Sequence, residues 1–483
     1  MPFLRHLTGY APAKLASAFA SFGGVYVFTR LLGAEAYGRY ALLISILALI
    51  HTLTLTWVEA ANYRFAARAR EEGTLADHYA LALTMMRRSL LAGLTVLGLV
   101  WIALSHLPGY GAALPWIGVL MVTNTVIQMA LEAHRAGHRV ARYSMSETFR
   151  VLGGFAAGAL IAWSFDLGAA APLIGMAVAA TIVAVREALF LRKSARGGHT
   201  ARETTHAWMG YGFPIAAALL LDIVLSASDR FLIAAFLGEA AVGAYAAGYG
   251  VADKTVLMLC AWPALAASPQ IMAAYERLGP DGAREAAGNL IRTLFLLGVP
   301  AATGLALTAH PLGEAMVGEA VRTQAIQIIP WIAFAGLLNG LMIHYASEAF
   351  QLAHRTRLRA LLMLVPAGLN IALNLVLLPT VGLMGAVYAT LISYGVGLVL
   401  LSLVGRRLVP FPWPVMDLAG IALAAAAMAP AVWLVPDFGG WPQLFAEAGA
   451  GAVTYISVLF ALNIAGIRSF VQEKLASRRA LGA

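Results

Sequence analysis

Long apolar segments recur along the whole chain and are separated by short polar stretches. Most of them approach the length of about 20 residues that an α-helix needs to cross a bilayer. Backbone groups cannot stay unpaired in lipid, so these segments must be helical. The pattern predicts an all-α polytopic membrane protein with 14 transmembrane helices and no soluble domain between them.

The predicted spans form two sets of six and a final pair. The first set comprises residues 11–32, 40–60, 89–105, 114–133, 149–165 and 171–191. The second set comprises residues 212–237, 242–265, 289–309, 326–349, 360–378 and 384–404, and the last pair comprises residues 415–435 and 444–464. The predicted domains are therefore an N-terminal six-helix lobe (1–205), a C-terminal six-helix lobe (206–410), and helices 13–14 with a cytoplasmic tail (411–483).

The charge distribution predicts the orientation of these spans. Only 12% of the 483 residues are charged, about half the fraction usual in soluble domains. Of the 33 lysines and arginines, 28 lie in one set of loops and in both tails. The opposite loops contain Arg30, Arg39 and Arg322, and the spans contain Arg230 and Lys254. The bias predicts that both termini face the cytoplasm. It also explains the net charge of +9, so nucleic-acid binding is not needed to account for that charge.

Several function classes are excluded. Cys260 is the single cysteine, so an intrachain disulfide framework and a cysteine-based metal cluster are absent. No cleavable signal peptide is apparent. The longest loop on the far side, residues 310–325, is too short for a catalytic domain, so no enzyme is expected. No G-x-x-x-x-G-K-[ST] loop is present, so ATP is not the energy source.

The two six-helix sets resemble each other in sequence. Residues 32–41 and 237–246 share a leucine, two glycines, a tyrosine and an alanine at an offset of 205, and residues 130–139 match 346–355 at an offset of 216. Six spans separate the copies, and six is even, so the repeats are parallel. Two parallel six-helix repeats around a central cleft are typical of a transporter.

These motifs resemble a known family. The turn L-G-x-x-x-x-G-x-Y-A at both places, the Glu-Ala…His-Arg ends of spans four and ten, and the stretch at 379–386 are similar to the polysaccharide transporters of the multidrug/oligosaccharidyl-lipid/polysaccharide (MOP) superfamily, and most to Wzx-type flippases. The resemblance implies alternating access and an undecaprenyl-diphosphate-linked glycan as substrate. In some relatives the two extra helices form a groove for the lipid tail.

The predicted function is therefore flipping of a lipid-linked oligosaccharide across the bacterial inner membrane for O-antigen, capsule or exopolysaccharide synthesis. Two alternatives share the fold: a cation-coupled multidrug antiporter and a flippase for a lipid-linked peptidoglycan precursor. A membrane glycan polymerase or glycosyltransferase fits less well, because the chain offers neither a large outer loop nor an acidic catalytic domain.

Acidic residues at membrane depth are the candidates for ion coupling, because charges there are costly and tend to be functional. Asp222 and Asp229 lie on one face of the seventh span together with Ser226. Asp253 and Lys254 lie on the eighth span, where antiparallel packing can bring Lys254 near Asp222. Two interpretations stay open, namely a structural ion pair that fixes the helix pair and a protonation or cation site coupled to opening.

The repeat supplies an internal comparison for these charges. Subtracting 205 from Asp229, Arg230, Asp253 and Lys254 gives Gly24, Val25, Ala48 and Leu49. The first copy therefore has the same fold without these charges. The charged residues of the second copy are better candidates for function than the glycines that both copies share.

The remaining candidates concern the substrate and the inner ends of the helices. Arginine can grip a diphosphate with paired hydrogen bonds, and amide or imidazole groups can bond either sugar hydroxyls or neighbouring helices. The predicted substrate-binding residues are Arg30, Arg230, Lys254, Asn370, Asn374 and His344, although Arg30 can equally snorkel to the interface. The predicted gate or structural residues are Glu59, Glu132 and Glu348, with Arg135, Arg139 and Arg355 as partners of the last two.

The expected partners follow from this function. They are the polyprenyl-diphosphate-linked glycan, membrane lipid, and candidate assembly proteins such as a polysaccharide polymerase. No metal ligand set, catalytic residue or cofactor is expected, and a coupling ion, H⁺ or Na⁺, is the one small partner that the acidic residues suggest. The chain is expected to act as a monomer.

Overall fold

The structure is a computed structural model of the 483-residue chain. It describes residues 2–469 and 472, and for residues 2–8, 202 and 203 it describes the backbone alone. Within these described residues there is no β-strand, so the all-α prediction is confirmed. Most of the predicted cytoplasmic tail lies outside the described residues, including Lys474, Arg478 and Arg479.

The chain divides into two compact units, residues Met1–Gly243 and Ala244–Ala483. The first unit contains α1 (Pro2–Leu31), α2 (Gly33–Thr54), α3 (Thr56–Glu71), α4 (Leu75–Leu104), α5 (Tyr110–Ala136), α6 (Val140–Thr148), a π-helical turn (Phe149–Gly153), α7 (Gly154–Ser164), α8 (Ala170–Ser194) and α9 (Arg202–Leu237). The predicted lobe boundaries at 205 and 410 stay predictions.

The second unit begins within α10 (Glu239–Leu307). It continues with α11 (Ala309–Met316), α12 (Glu319–Leu341), a second π-helical turn (Met342–Ala346), α13 (Glu348–Leu352), α14 (Thr356–Val381), α15 (Leu383–Gly405), α16 (Val415–Ala426), α17 (Met428–Trp433), α18 (Gly440–Ala461) and a short 3₁₀ turn (Ile464–Gly466).

Eleven helices in the described part of the chain are long and apolar enough to cross a membrane. The 69-residue α10 holds two predicted spans on either side of Gly279, whose φ of +69° bends the helix. Two further predicted spans lie in α1 and in the segment from α6 to α7, which the π-helical turn interrupts. The structure is therefore consistent with 14 spans, and the polytopic membrane fold is confirmed.

Helix ends differ from the predicted spans. The span predicted at 40–60 is α2, which begins earlier at Gly33, followed by a break at Leu55 and by α3. The span predicted at 89–105 is the C-terminal half of α4, which begins at Leu75. Hydropathy marks the apolar window of a helix, and amphipathic turns can extend the helix beyond that window.

Two clusters of buried residues pack the helices in the described part of the first unit. One joins α2, α5 and α8 through residues such as Leu43, Ile117 and Leu173. The other joins α3, α4 and α9, and includes Val58 and the fully buried Trp208. Lipid tails are as apolar as these side chains, so close packing rather than removal from water holds such helices together.

The second copy of the predicted repeat matches the first in backbone detail. His138 and His354 both have a φ of +54°. The amide of Arg139 bonds the carbonyl of His134 at 2.8 Å, and the amide of Arg355 bonds that of Phe350 at 2.8 Å. Left-handed φ is uncommon in non-glycine residues, so a shared turn at an offset of 216 supports the internal repeat.

Candidate functional site

A buried tyrosine cluster lies in the second unit, between the beginning of α10 and α15. The hydroxyl of Tyr245 lies 3.3 Å from that of Thr390, and the hydroxyl of Tyr249 lies 3.2 Å from that of Tyr394. All four residues are buried. These polar groups, none of them among the predicted site residues, form a hydrogen-bonded face inside the helix bundle of the second unit.

The tyrosine cluster also fixes the relative direction of the two helices. Both hydroxyl pairs join residues 145 positions apart, so the two helices advance together and run parallel. They correspond to predicted spans 8 and 12, which three other spans separate. Parallel packing is what the predicted order of crossings requires for this pair.

Asp253 continues the face of α10 that carries the tyrosines, at the spacing i, i+4, i+8. It is 5% exposed. A Cβ added to Gly336 of α12 would lie 3.2 Å from a carboxylate oxygen of Asp253, so the absence of a side chain at Gly336 lets α12 approach this carboxylate. Lys254 is the next residue and is exposed, so the two charges leave the helix in different directions.

Asn370 and Asn374 lie one turn apart on α14 and are both fully buried. The side-chain amide of Asn374 donates to the backbone carbonyl of Asn370 at 2.9 Å. His344 lies in the π-helical turn Met342–Ala346 and is half-buried. The roles of these three residues in substrate binding stay predictions.

The other membrane-depth charges lie in the first unit, on α9. Asp229 is fully buried and Asp222 is half-buried. The guanidinium of Arg230 lies 3.4 Å from the hydroxyl of the buried Ser45 on α2. The predicted approach of Asp222 to Lys254 stays a prediction, as do the ion-coupling roles.

Arg30 lies in the last turn of α1 and is exposed. Its guanidinium donates to the backbone carbonyl of Tyr26 at 2.7 Å and lies 4.0 Å from the centre of the Tyr26 ring. A cation held over an aromatic ring at a helix end suits the interfacial interpretation.

Two of the three predicted gate carboxylates have basic partners. Glu132 pairs with Arg135 at 2.9 Å, as expected. Glu59 lies 2.9 Å from the imidazole of His51, across the break between α2 and α3.

Glu348 differs from the expectation. It accepts a hydrogen bond from the hydroxyl of Ser268 at 2.9 Å rather than pairing with Arg355. A left-handed turn follows the helix in both repeat copies, at His138 and at His354. The repeat therefore preserves the backbone conformation at these helix ends but not the ion pair of the glutamate.

The two repeated glycine turns lie against each other in the first unit. Gly33 and Gly238 have φ of +72° and +84°, which glycine adopts without strain. A Cβ on Gly38 would collide with the carbonyl oxygen of Glu239, and one on Gly243 with that of Ala34. Positions 34 and 239 are themselves equivalent at the offset of 205, so the contact is reciprocal.

An ion pair reinforces this reciprocal turn contact. The guanidinium of Arg39 lies 2.6 Å from a carboxylate oxygen of Glu239, and its carbon lies 5.5 Å from the Tyr110 ring centre. A Cβ on Gly109 would collide with the guanidinium of Arg39. The glycines, predicted to serve turn geometry and close approach, therefore bring the two turns together.

The structure also assembles polar residues that were not among the predicted site residues. His51 and Thr52 of α2, Asn124 and Gln128 of α5, and Arg150 of the first π-helical turn line one cavity in the first unit. Distances of 22 to 98 residues along the sequence separate the three segments. A single sequence without an alignment carries no signal that joins them.

The family of the chain follows from a direct comparison. The family model described as "Polysaccharide biosynthesis protein" matches residues 4–271, more than half of the 483 residues. The chain belongs to this family. The match covers the first predicted repeat and extends into α10.

Solved structures of other proteins show the same fold as this chain. The lipid II flippase MurJ in an inward closed conformation has a TM-score of 0.74 at 12% identity, over 95% of this chain and 99% of that one. An inward-facing multidrug resistance MATE family transporter of the MOP superfamily has a TM-score of 0.61 at 15% identity, over 81% of this chain and 94% of that one.

The Vibrio cholerae MATE transporter VcmN is also similar, with a TM-score of 0.57 at 17% identity, over 83% of this chain and 96% of that one. No match is found among curated proteins. The chain is a multi-pass membrane protein of the polysaccharide biosynthesis family, and its fold is shared by a transporter of the MOP superfamily, as the predicted resemblance implied. Its fold is one that flippases and transporters share.

Proposed function

We propose that the protein flips an undecaprenyl-diphosphate-linked oligosaccharide across the bacterial inner membrane, with both termini in the cytoplasm, for the synthesis of a surface polysaccharide. The observation that carries the proposal is the match to the polysaccharide biosynthesis family over residues 4–271. A MOP-type fold supports alternating access as the mechanism.

The energetics of this cargo suit such a fold. A polyprenyl tail can stay in lipid while the polar head crosses, because moving charged and hydroxylated groups through hydrocarbon is far more costly than moving the tail. The protein therefore needs to shelter only the head group. Arg230 and Lys254 are cations at predicted membrane depth that suit an anionic diphosphate.

Cation coupling is the proposed energy source. Asp229 and Asp253 are buried carboxylates on α9 and α10, and Asp222 lies on the same face of α9 as Asp229. Binding of H⁺ or Na⁺ to such a carboxylate changes the cost of burying it. Asp253→Asn should weaken the dependence of flipping in inverted vesicles on an imposed H⁺ or Na⁺ gradient, whereas Asp166→Asn, at an exposed position, should leave it unchanged.

The decisive experiment is deletion of the gene and complementation with variants. The deletion should abolish surface polysaccharide and cause the lipid-linked intermediate to accumulate on the cytoplasmic side. Asp222→Ala, Asp229→Ala, Arg30→Ala and Lys254→Ala should restore polysaccharide less well than the wild-type gene. Lys193→Ala, at an exposed position in the last turn of α8, is the matched control for Lys254.

The same deletion separates the alternatives. Normal surface polysaccharide in the deletion strain would overturn the proposal. Increased drug sensitivity with normal polysaccharide would favour the multidrug antiporter, and arrest of peptidoglycan synthesis would favour the peptidoglycan-precursor flippase.

A further inference from the structure

A cavity of about 280 Å³, with both apolar and polar lining residues, lies within the first unit, between α2, α5, the first π-helical turn and α8. Its polar lining consists of His51, Thr52, Asn124, Gln128 and Arg150. None of these five residues takes part in the function proposed above. Polar groups at membrane depth are costly and face interior cavities, so their convergence on one space makes this cavity a candidate ligand site.

The backbone explains how an arginine reaches this space. Arg150 lies in the π-helical turn Phe149–Gly153. The wider turn of a π-helix changes the register of the side chains that follow it, and such turns recur at functional sites. One guanidinium nitrogen of Arg150 lies 3.4 Å from the side-chain oxygen of Asn124 across the cavity lining.

The two basic side chains at the cavity already have acidic partners. Arg150 binds both carboxylate oxygens of Glu147, at 2.9 Å and 2.6 Å, and His51 lies 2.9 Å from Glu59. The cavity therefore presents no surplus positive charge. A diphosphate would need such a surplus to replace its hydration, so an anionic group is a poor ligand here.

The uncharged lining suits a hydroxyl-rich ligand instead. The side-chain amides of Asn124 and Gln128 lie one helical turn apart on α5, and each amide offers both donors and an acceptor. Within the described residues, no hydrogen bond engages the Gln128 amide. A sugar hydroxyl also donates and accepts, so it can satisfy such an amide without a charge.

We propose that this cavity binds one sugar residue of the lipid-linked glycan. The inference rests on the proposed flippase function and adds a glycan subsite to it. The cavity volume of about 280 Å³ lies just below the range of about 300–1,000 Å³ that holds drug-sized ligands. It is therefore sized for a single ring rather than for the whole oligosaccharide.

The single native cysteine makes a labelling test available, because Cys260 is fully buried. Gln128→Cys places a thiol in the cavity, and Asn124→Cys is a second variant. Gln270→Cys, at an exposed glutamine outside the cavity, is the matched control. The full-length variants are labelled in nanodiscs with a small hydrophilic methanethiosulfonate. Labelling rates are compared with the undecaprenyl-diphosphate-linked glycan from the host cells, with undecaprenyl diphosphate, and without added lipid.

The glycan-bearing lipid should slow labelling of Gln128→Cys or Asn124→Cys about tenfold when present at ten times its Kd. Undecaprenyl diphosphate should not slow the labelling of either cavity cysteine. Neither lipid should slow the labelling of Gln270→Cys. Gln128→Ala should bind the glycan-bearing lipid about 2- to 10-fold more weakly, as loss of one hydrogen bond predicts, and Gln270→Ala should bind it normally.

Equal protection by undecaprenyl diphosphate would overturn the sugar assignment in favour of an anion site. Two results at both cavity positions would overturn the proposal that the cavity is a binding site. The cysteines could remain unlabelled, or they could be labelled at a rate that no lipid slows. If the gene deletion blocks surface polysaccharide in either case, only the cavity proposal fails. If the deletion leaves polysaccharide normal, the flippase function itself fails.

Discussion

Glu187 shows how a charge is held inside the first unit. It is fully buried on α8, where His134 lies 2.9 Å away, Arg142 donates at 2.9 Å and Ser146 donates at 2.9 Å. A buried carboxylate is tolerated when paired charges and hydrogen bonds replace its water. The four residues therefore act as a structural junction between α5, α6 and α8.

Glu187→Gln should destabilise the protein, because it removes the negative charge and leaves His134 and Arg142 without it. The expected loss is about 3 kcal/mol of unfolding free energy, measured in detergent by thermal or denaturant unfolding. Glu72→Gln is the matched control, since its partner Arg68 is exposed and water screens that pair. Equal losses for the two variants would contradict the structural role.

At the same scale, sequence reasoning selected Asp253, Asn370 and Asn374, all of which are buried, but neither Glu187 nor the tyrosine cluster. The first three stand out as polar residues within apolar runs. Tyr249 does not, because a tyrosine in such a run is ordinary, and its partner Tyr394 lies 145 residues away. Partners across such distances depend on packing, which periodicity does not encode.

At the scale of elements, the reciprocal turn contact depends on two glycines that lack Cβ atoms. The motif spacing predicted both turns, because positive φ and a close approach each favour glycine. It did not predict that the two turns touch each other, since the sequence gives each turn separately. The ion pair between Arg39 and Glu239 was also missed, because a charge in a predicted loop usually serves only topology.

Gly38→Ala should weaken this contact, because the added methyl group meets the Glu239 carbonyl. The expected loss is about 1–3 kcal/mol, as for overpacking elsewhere, measured as a lower unfolding midpoint in detergent. Gly98→Ala, in α4, is the control, because its added Cβ meets no atom within 4 Å. An unchanged midpoint for Gly38→Ala would show that the turns separate at no cost.

At the scale of the whole molecule, the order of crossings was the most predictable property. Apolar windows and the distribution of Lys and Arg depend only on local composition. The parallel packing of α10 and α15 agrees with that order. The helix breaks at Leu55 and at the two π-helical turns were not predicted, because such breaks depend on neighbouring helices.

The predicted orientation can be measured by thiol labelling of intact cells. His310→Cys, in a loop predicted to lie outside the cytoplasm, should react with a membrane-impermeant maleimide. Arg196→Cys should react only after permeabilisation. Both native side chains are exposed, so a difference reports the side of the membrane. Labelling of Arg196→Cys in intact cells would reverse the assigned topology.

The proposed alternating-access mechanism predicts that the reciprocal turn contact opens during transport. A cross-link between Arg39→Cys and Glu239→Cys should therefore stop the transfer of lipid-linked glycan, and a reductant should restore it. The control pair Arg68→Cys and Glu72→Cys lies within one helix end and should not affect transfer when cross-linked. Full activity of the cross-linked Arg39–Glu239 pair would show that this contact stays closed throughout the cycle.

The reciprocity of the glycine turns bears on where the duplication began. A contact in which position 34 of one copy meets position 38 of the other, and the reverse, is the geometry by which identical subunits pair around a two-fold axis. An ancestral half-length chain with this turn would have met a second copy of itself through the same backbone atoms. Gene fusion would then have preserved a homodimer interface inside a single polypeptide.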